Sequence, residues 1–381
     1  APIVPVVKAS GKIRICGDYK TTVNQVATPD LYPLPRVEEL FAAMSGGAYF
    51  TKLDLSDAYQ QLVLDEESQE LLTINTSKGL YRYTRLPYGV SAAPSIFQRT
   101  MDSLLAGIPK TVAFLDDILV TGSTEAEHWA NVEVVLTKLE EAGLRLNRDK
   151  CEFGVREVVY LGHRMNVEGL QPTTEKVDAV VNAPVPRNVS ELKSYLGLIN
   201  YYAKFLPQLS TTLAPLHYLQ RKNTKWHWRR KQQAAFEASK KLLISAEVLV
   251  HFDVKKDLIL SCDASPYGVG AVLAHRMPDG SERPVAYASR SLNPAERNYS
   301  HLDKEGVAVI FGVKKFHQYL YGRPFTITTD HKPLLGLFSE FRAVPQMASS
   351  RLQRWSLTLS AYQYKLVYRP GQANGNADGL S

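Results

Sequence analysis

The sequence predicts a mixed α/β (α+β) protein of two or three domains, and three observations lead there. Helical and strand-like patterns interleave through the first 165 residues around an apolar hairpin, Thr111–Gly122, that carries the bare pair Asp116–Asp117. A run of helices follows Pro172. From about residue 251 the chain restarts as strands, a long helix and another strand, with acids at two strand ends and within the helix. A length of 381 residues suits this division.

The first 30 residues alternate apolar and polar positions around Ala9-Ser10-Gly11, a hairpin bearing Lys8, Lys12, Arg14 and Lys20. Those cations read equally well as a solvated face or as a clamp for phosphoryl oxygens. A short helix is expected over Arg36–Met44, ended by Gly46-Gly47. AYFTKLDLSDAYQQLVL then begins as a strand that places Asp54 at its end, and Ser56 and Asp57 start a helical turn at Ala58-Tyr59-Gln60. Leu71–Tyr83 reads as two strands around Lys78-Gly79. Arg85–Leu104 is a Pro/Gly turn and an amphipathic helix with Ile96, Phe97, Met101 and Leu104 inward.

Taken alone, Asp116–Asp117 is an Asp-rich turn facing water. An acidic pair in so apolar a setting is costly without a compensating cation, and Asp54 offers a third carboxylate that a split α/β sheet would bring to it. Thr124 and Glu127 predict a capping box for a helix burying Trp129, Val132, Leu136 and Leu139 and stopped by Gly143. Cys151–Asn166 is a further strand pair.

Glu175–Asn182 and Ser190–Leu206 are predicted helices, the second with Leu192, Tyr195, Leu196, Ile199, Tyr202 and Leu206 on one face. Leu216–Gln232 holds six Lys/Arg and no acid, with Trp226 and Trp228 interleaved. A structural linker is favoured there over a strand-tracking surface. The last third predicts strands Asp257–Asp263, Val269–His275 and Arg283–Ser289, a helix Ser300–Tyr321 carrying Glu305, a strand Phe325–Asp330, a helix Leu352–Leu359, a strand Tyr364–Tyr368 and a final turn with Asp378.

Composition narrows the chemistry. The hydrophobic fraction is 45%, the charged fraction 22% and the net charge +7, compatible with a polyanionic partner. Cys16, Cys151 and Cys262 are far apart and form no CxxC, so neither a disulfide framework nor a zinc site is expected, which fits a reducing compartment. His217 and His227 lack partners at zinc-like spacing. No run spans a bilayer, and the opening APIVPVV lacks a signal peptide's basic start. The opening without Met suggests a piece of something longer. Clusters of three or four acids with basic surroundings suit Mg²⁺-assisted phosphodiester chemistry better than glycoside hydrolysis, which needs only two carboxyls. No Walker loop is present and no Ser/His/Asp motif stands in a strand–turn–helix setting.

KASGKIRICGDYKTTVN, YPLPRVEELF, FTKLDLSDAYQQL, LPYGVSAAPSIFQRTM, FLDDILV and YLGH resemble the reverse transcriptase of gypsy-like (Metaviridae) LTR retrotransposons. LGLINYYAKFLPQLSTTLAPLHYL resembles their thumb and connection. CDASPYGVGAVLAH, SHLDKEGVAVIFGVKKFHQYLYG, FTITTDHKPL and NADGLS resemble their ribonuclease H. The resemblance runs over nearly the whole chain in family order. It implies a right-hand polymerase, fingers and palm at 1–165, a thumb and connection at 166–250, and an RNase H-like α/β domain at 251–381.

By the same resemblance Asp54 and Asp116 would hold two Mg²⁺ ions (Mn²⁺ is the alternative) with Asp117 in support, and Asp263, Glu305, Asp330 and Asp378 would hold two more. Arg14, with Lys8 or Lys12, would meet the triphosphate of a dNTP. Tyr59 would exclude a 2′-hydroxyl, Tyr88 would floor the nucleotide pocket, and Leu115 would lie beside the incoming base or primer end. Tyr160, Leu161 and Gly162 match the strand that grips the primer. Expected partners are an RNA template, a DNA primer, the RNA–DNA hybrid and dNTPs, with no membrane and with a dimer left open. The expected compartment is a cytoplasmic element particle, with the nucleus as the alternative. Phe114, Tyr88 and Gly17 depart from the family's usual Tyr, Phe and Val. Upstream fingers sequence is lacking and the chain stops three residues after Asp378, so template holding and the last nuclease helix are expected to be incomplete. The competing reading is a decayed or host-adopted element that only binds nucleic acid. Seven intact, mutually repelling carboxylates favour the enzyme.

Overall fold

The computed structural model describes residues 1–8, 11–28, 32–338 and 350–370. The chain divides into two compact units, one of residues 1–161 with 165–167, the other of residues 162–164 with 168–381.

The first unit is built on a four-stranded antiparallel sheet in the order Thr111–Phe114, Asp117–Gly122, Tyr49–Asp54, Glu152–Val155. The register pairs Tyr49 with Gly122 and runs without slip to Asp54 opposite Asp117. Alternation along these strands turns Leu53, Ile118 and Val120 onto helices Ala93–Leu104 and Glu125–Glu141, whose Phe97, Met101, Val132 and Val135 complete a buried core. Two smaller antiparallel pairs, Ile3–Val7 with Ile13–Gly17 and Thr73–Thr76 with Gly79–Arg82, stand apart from that sheet.

The second unit opens with helices Thr174–Val181, Val189–Tyr201, Leu209–Tyr218 and Arg230–Ile244. All six residues expected on the inward face of the second, from Leu192 to Leu206, are buried, although the helix itself ends at Tyr201. A five-stranded sheet follows in the order Glu282–Ser291, Gly268–Arg276, Leu258–Ala264, Pro324–Thr329, Gln363–Tyr368. Its first three strands are antiparallel; the last two join in parallel. Helix His301–Lys315 packs on it so closely that a Cβ at Gly312 would come within 2.9 Å of the Cys262 sulfur.

Several expectations are corrected. Trp129 is 44% exposed, because the Glu125–Glu141 helix turns His128, Asn131, Val132 and Val135 inward, a face rotated by one position. His128 Nε2 bonds the buried Thr51 hydroxyl at 2.8 Å, and Asn131 donates to the Thr121 carbonyl, so two polar residues occupy core positions that periodicity assigns to apolar ones. Helix Ser300–Tyr321 is two helices, His301–Lys315 and His317–Leu320. Leu71 closes an unforeseen helix, Glu66–Leu71, rather than opening a strand. Trp226 and Trp228 stack on each other at 5.9 Å, with Trp228 edge-on to Phe236 and donating to Gln233, which supports the linker reading of their segment.

Candidate active sites

In the first unit, the strand Tyr49–Asp54 ends where the hairpin turns. The tip is a two-residue loop, Leu115 and Asp116, between the paired residues Phe114 and Asp117. Leu115 sits at φ +55°, a conformation that costs a β-carbon-bearing residue about 1–2 kcal/mol. Gln98, fully buried on helix Ala93–Leu104, holds it there. Its amide oxygen accepts from the Leu115 N–H at 2.7 Å, while its nitrogen donates to the Ala113 carbonyl and to Asp102. The Asp116 carbonyl in turn accepts from the Leu55 N–H at 3.1 Å, fastening the tip to the strand that carries Asp54.

Asp54, Asp116 and Asp117 therefore stand at one end of the sheet, although one oxygen from each does not close to within 4.8 Å of the others, and two lysines face them. Lys150 Nζ lies 3.1 Å from Asp54, and Lys52 Nζ lies 3.8 Å from Asp117. Burial raises the Asp117 carboxyl above the ordinary aspartate range; Lys52 opposes this, and the charges of Asp116 and Asp54 add to it. Asp54 is buried, while Asp116 is exposed at the tip. An all-oxygen donor set with surplus negative charge fits a hard divalent cation.

Beside the tip lies an aromatic and cationic cluster. The Arg14 guanidinium sits 4.2 Å over the Tyr88 ring, Tyr88 is 5.3 Å from Tyr59, and Tyr59 packs edge-on to Phe97. Burial, then the nearby Asp116 charge, raises the Tyr59 phenol, and Arg14 offsets part of this. The structure thus brings Arg14, Tyr59, Tyr88 and Leu115 to the carboxylates. Lys8 is instead paired with Asp57 at 2.9 Å. A β-carbon at Gly17 would lie 2.3 Å from the Tyr19 ring, so the residue that departs from the family's valine suits this backbone.

Tyr160 differs from its expected place. Its ring is fully buried, 6.5 Å edge-on to Phe41, and its hydroxyl donates to the Asp117 carbonyl at 3.1 Å. Such a side chain supports the acid-bearing strand from behind and is closed to a primer. Leu161 and Gly162, both at positive φ, form the turn that follows.

In the second unit, the parallel neighbours Leu258–Ala264 and Pro324–Thr329 bring Asp263 and Asp330 to the same end of the sheet. Ser300 caps helix His301–Lys315, accepting from the Asp303 N–H, so that Glu305 in the second turn reaches the same point. One ligand atom from each of Asp263, Glu305 and Asp330 lies within 4.8 Å of the others, the one such grouping among the described residues. Glu305 is 1% exposed, and its Oε2 has no hydrogen-bond partner. Burial, then Asp263 and Asp330, pushes its carboxyl up to about 9. A buried, orphaned oxygen facing two more carboxylates fits a divalent metal. Asp378 lies outside the described residues.

Sequence reasoning missed Gln98, Lys150 and two histidines. His301 precedes Glu305 by one helical turn, with its Nε2 3.9 Å from Glu305 Oε1. His331 follows Asp330 directly, and its ring lies 5.1 Å from that of His301. The spacing His-x-x-x-Glu was the available signal for the first; nothing local marks Gln98 or Lys150. Replacing Gln98 by Leu, similar in bulk, is expected to cost about 1–3 kcal/mol by stranding the Leu115 N–H. Urea denaturation measures this, and an unchanged midpoint would show that the amide does not hold the tip.

Residues 6–165 match the reverse transcriptase (RNA-dependent DNA polymerase) family, and residues 253–362 match the RNase H-like domain found in reverse transcriptase. The Transposon Tf2-3 and Tf2-4 polyproteins of Schizosaccharomyces pombe are each 38% identical to it over 384 residues, covering all of this chain and 28% of theirs. The chain thus spans little more than a quarter of the length of these relatives. The foamy viral protease-reverse transcriptase solved with dsDNA superposes with a TM-score of 0.86 at 26% identity, over 97% of this chain and 77% of that one. The same viral protein solved with an RNA/DNA hybrid gives 0.79 at 25% identity, over 97% and 50%. With both family matches in sequence order and the polyproteins aligned over the whole of it, the chain belongs to the reverse transcriptase–RNase H family of gypsy-type LTR retrotransposon polyproteins.

Proposed function

We propose that the chain extends a nucleic-acid primer with deoxynucleoside triphosphates on an RNA template, and that its nuclease domain cuts the RNA strand of the resulting hybrid. The observation that carries this is the slip-free pairing that sets Asp54 against the Asp116–Asp117 tip, beside Arg14, Tyr59 and Tyr88. The three-part division into polymerase fingers and palm, thumb with connection, and nuclease belongs to the same reading. The duplexes bound by the foamy viral relatives support a nucleic-acid substrate.

Asp54, Asp116 and Asp117 would hold Mg²⁺ or Mn²⁺ in the polymerase, and Asp263, Glu305 and Asp330 in the nuclease. Divalent ions so held, two to a site, supply charge stabilisation to the attacking and leaving oxygens of an in-line phosphoryl displacement. The protein's own side chains do the rest. Arg14, oriented by its stacking on Tyr88, presents planar N–H donors to triphosphate oxygens. Tyr59, wedged between Tyr88 and Phe97, holds a rigid ring where a ribose 2′-hydroxyl would intrude. Gln98 and Tyr160 fix the hairpin from its far side, keeping the carboxylates in place before substrate arrives.

The test is primer extension on an RNA template with Mg²⁺, wild type against Asp117→Asn. Extension by the wild type alone is expected. Metal-independent binding with no extension by either protein would favour the binding-only element. A Tyr59→Ala variant should accept ribonucleotides more readily, read as the ratio of rNTP to dNTP incorporation; an unchanged ratio would remove Tyr59 from sugar discrimination.

A further inference from the structure

An open cavity of about 670 Å³ lies in the second unit between helices His301–Lys315 and Ser350–Leu359, beside the end of strand Glu282–Ser291. That volume is in the range of small-molecule sites. Its apolar side is made by Val307, Ile310 and the rings of Tyr299, Phe311 and Trp355. Gly306 makes room for the last of these: a β-carbon there would stand 2.7 Å from the Trp355 ring, so the indole packs directly on the helix backbone. Five cations and one carboxylate complete the lining. Two of the cations are already paired. Arg290 holds Glu296 through bonds of 2.7 and 2.9 Å, and Arg351 lies 3.6 Å over the Tyr299 ring and 3.2 Å from Asp303. Lys314, Lys315 and Arg354 are exposed and, among the described residues, pair with no acid. Three unbalanced positive charges thus border a floor of aromatic rings.

We propose that this cavity binds a nucleotide, its phosphates held by Lys314, Lys315 and Arg354 and its base laid on the rings of Tyr299, Phe311 and Trp355. Phosphate oxygens answer the unbalanced cations, and charge-assisted bonds of this kind are the strong ones. A base stacks on aromatic faces whatever its identity, and the guanidinium over Tyr299 adds a further planar surface. An acidic peptide would use the cations and leave the rings idle; an apolar ligand would leave the charges unanswered. This chemistry has two sources, a free nucleoside triphosphate or a nucleotide within a nucleic-acid strand. The binding goes beyond the polymerase and nuclease reading and does not rest on it, because none of the carboxylates assigned to metal lines the cavity.

Isothermal titration of the full chain tests the site with three probes: dATP, inorganic triphosphate and the trinucleotide d(ApApA). EDTA in the buffer keeps metal-dependent binding out. The proteins are the wild type, Lys314→Gln, Arg354→Gln and, as a control on an exposed cation outside the cavity, Lys365→Gln. All three side chains are exposed, so their loss is safe for folding. At least one of dATP and d(ApApA) should bind about fivefold or more tighter than inorganic triphosphate, the base adding its stacking. Lys314→Gln and Arg354→Gln should each weaken that probe by about tenfold, and Lys365→Gln by less than about twofold. Such binding of dATP identifies a free nucleotide as the source, and of d(ApApA) alone a strand. Inorganic triphosphate bound as tightly as either probe overturns the site, as does an equal loss in Lys365→Gln, no loss in the two cavity variants, or no uptake at all. Primer extension and hybrid cleavage are read separately, so their failure leaves this result standing.

Discussion

Glu305→Gln is expected to abolish hybrid cleavage and, at the same time, to make the metal-free protein more stable. In the folded chain burial, Asp263 and Asp330 push the Glu305 carboxyl up to about 9, against an ordinary value of 4.5. Between those values the folded state keeps a proton that the unfolded chain has released. Stability therefore falls as pH rises through that window: the contribution is fully present below about 4.5 and lost towards 9. A neutral amide of the same shape removes both the penalty and its pH dependence. The metal-free variant should gain on the order of 2–4 kcal/mol near pH 8, seen as a melting temperature higher by about 5–10 °C. The gap should close near pH 5. Mg²⁺ should raise the wild-type melting temperature, because it binds the ionised carboxylate, and should do far less for the variant. A variant that melts at or below the wild type at pH 8 would contradict the crowding of charge inferred at this point.

The second large effect is at Asp54. Asp54→Asn should slow primer extension by about 10³-fold or more, since several kcal/mol of transition-state stabilisation pass through that ligand. The fold should hardly notice. The paired Lys150 side chain is 62% exposed, so its release into water costs at most about 1 kcal/mol. Single-turnover extension together with a melting curve separates the two. A rate loss below tenfold, or a loss matched by unfolding, would count against Asp54 as a ligand.

Both effects begin with features a reader of the sequence can see, because they are local. Asp54 and the Asp pair stand at strand ends marked by β-branched runs, and Asp263 and Asp330 likewise. Thr124 accepts from the Glu127 N–H as its spacing suggests, though the Glu127 carboxylate reaches back to Ser123 rather than to Thr124 itself. What could not be read depends on partners far away in the chain. Trp129 looked inward because apolar periodicity ignores the buried Thr51 and Thr121 that draw in His128 and Asn131. Gln98 resembles any polar residue on a helix until the hairpin tip, some 17 positions on, needs its amide. Lys150 reaches Asp54 across 96 residues. Tyr160 lies where a resemblance places a primer contact, yet the packing around Phe41 turns its ring into the core. Motifs name the reacting groups; the side chains that hold them emerge only with the tertiary structure.

The most direct test is diffraction from crystals of the chain soaked in Mn²⁺, with anomalous maps calculated at the manganese edge. The account predicts peaks beside Asp54 and the Asp116–Asp117 tip and among Asp263, Glu305 and Asp330, the first lost in Asp54→Asn and the second in Glu305→Gln. Manganese bound elsewhere, or at neither carboxylate cluster, would contradict it.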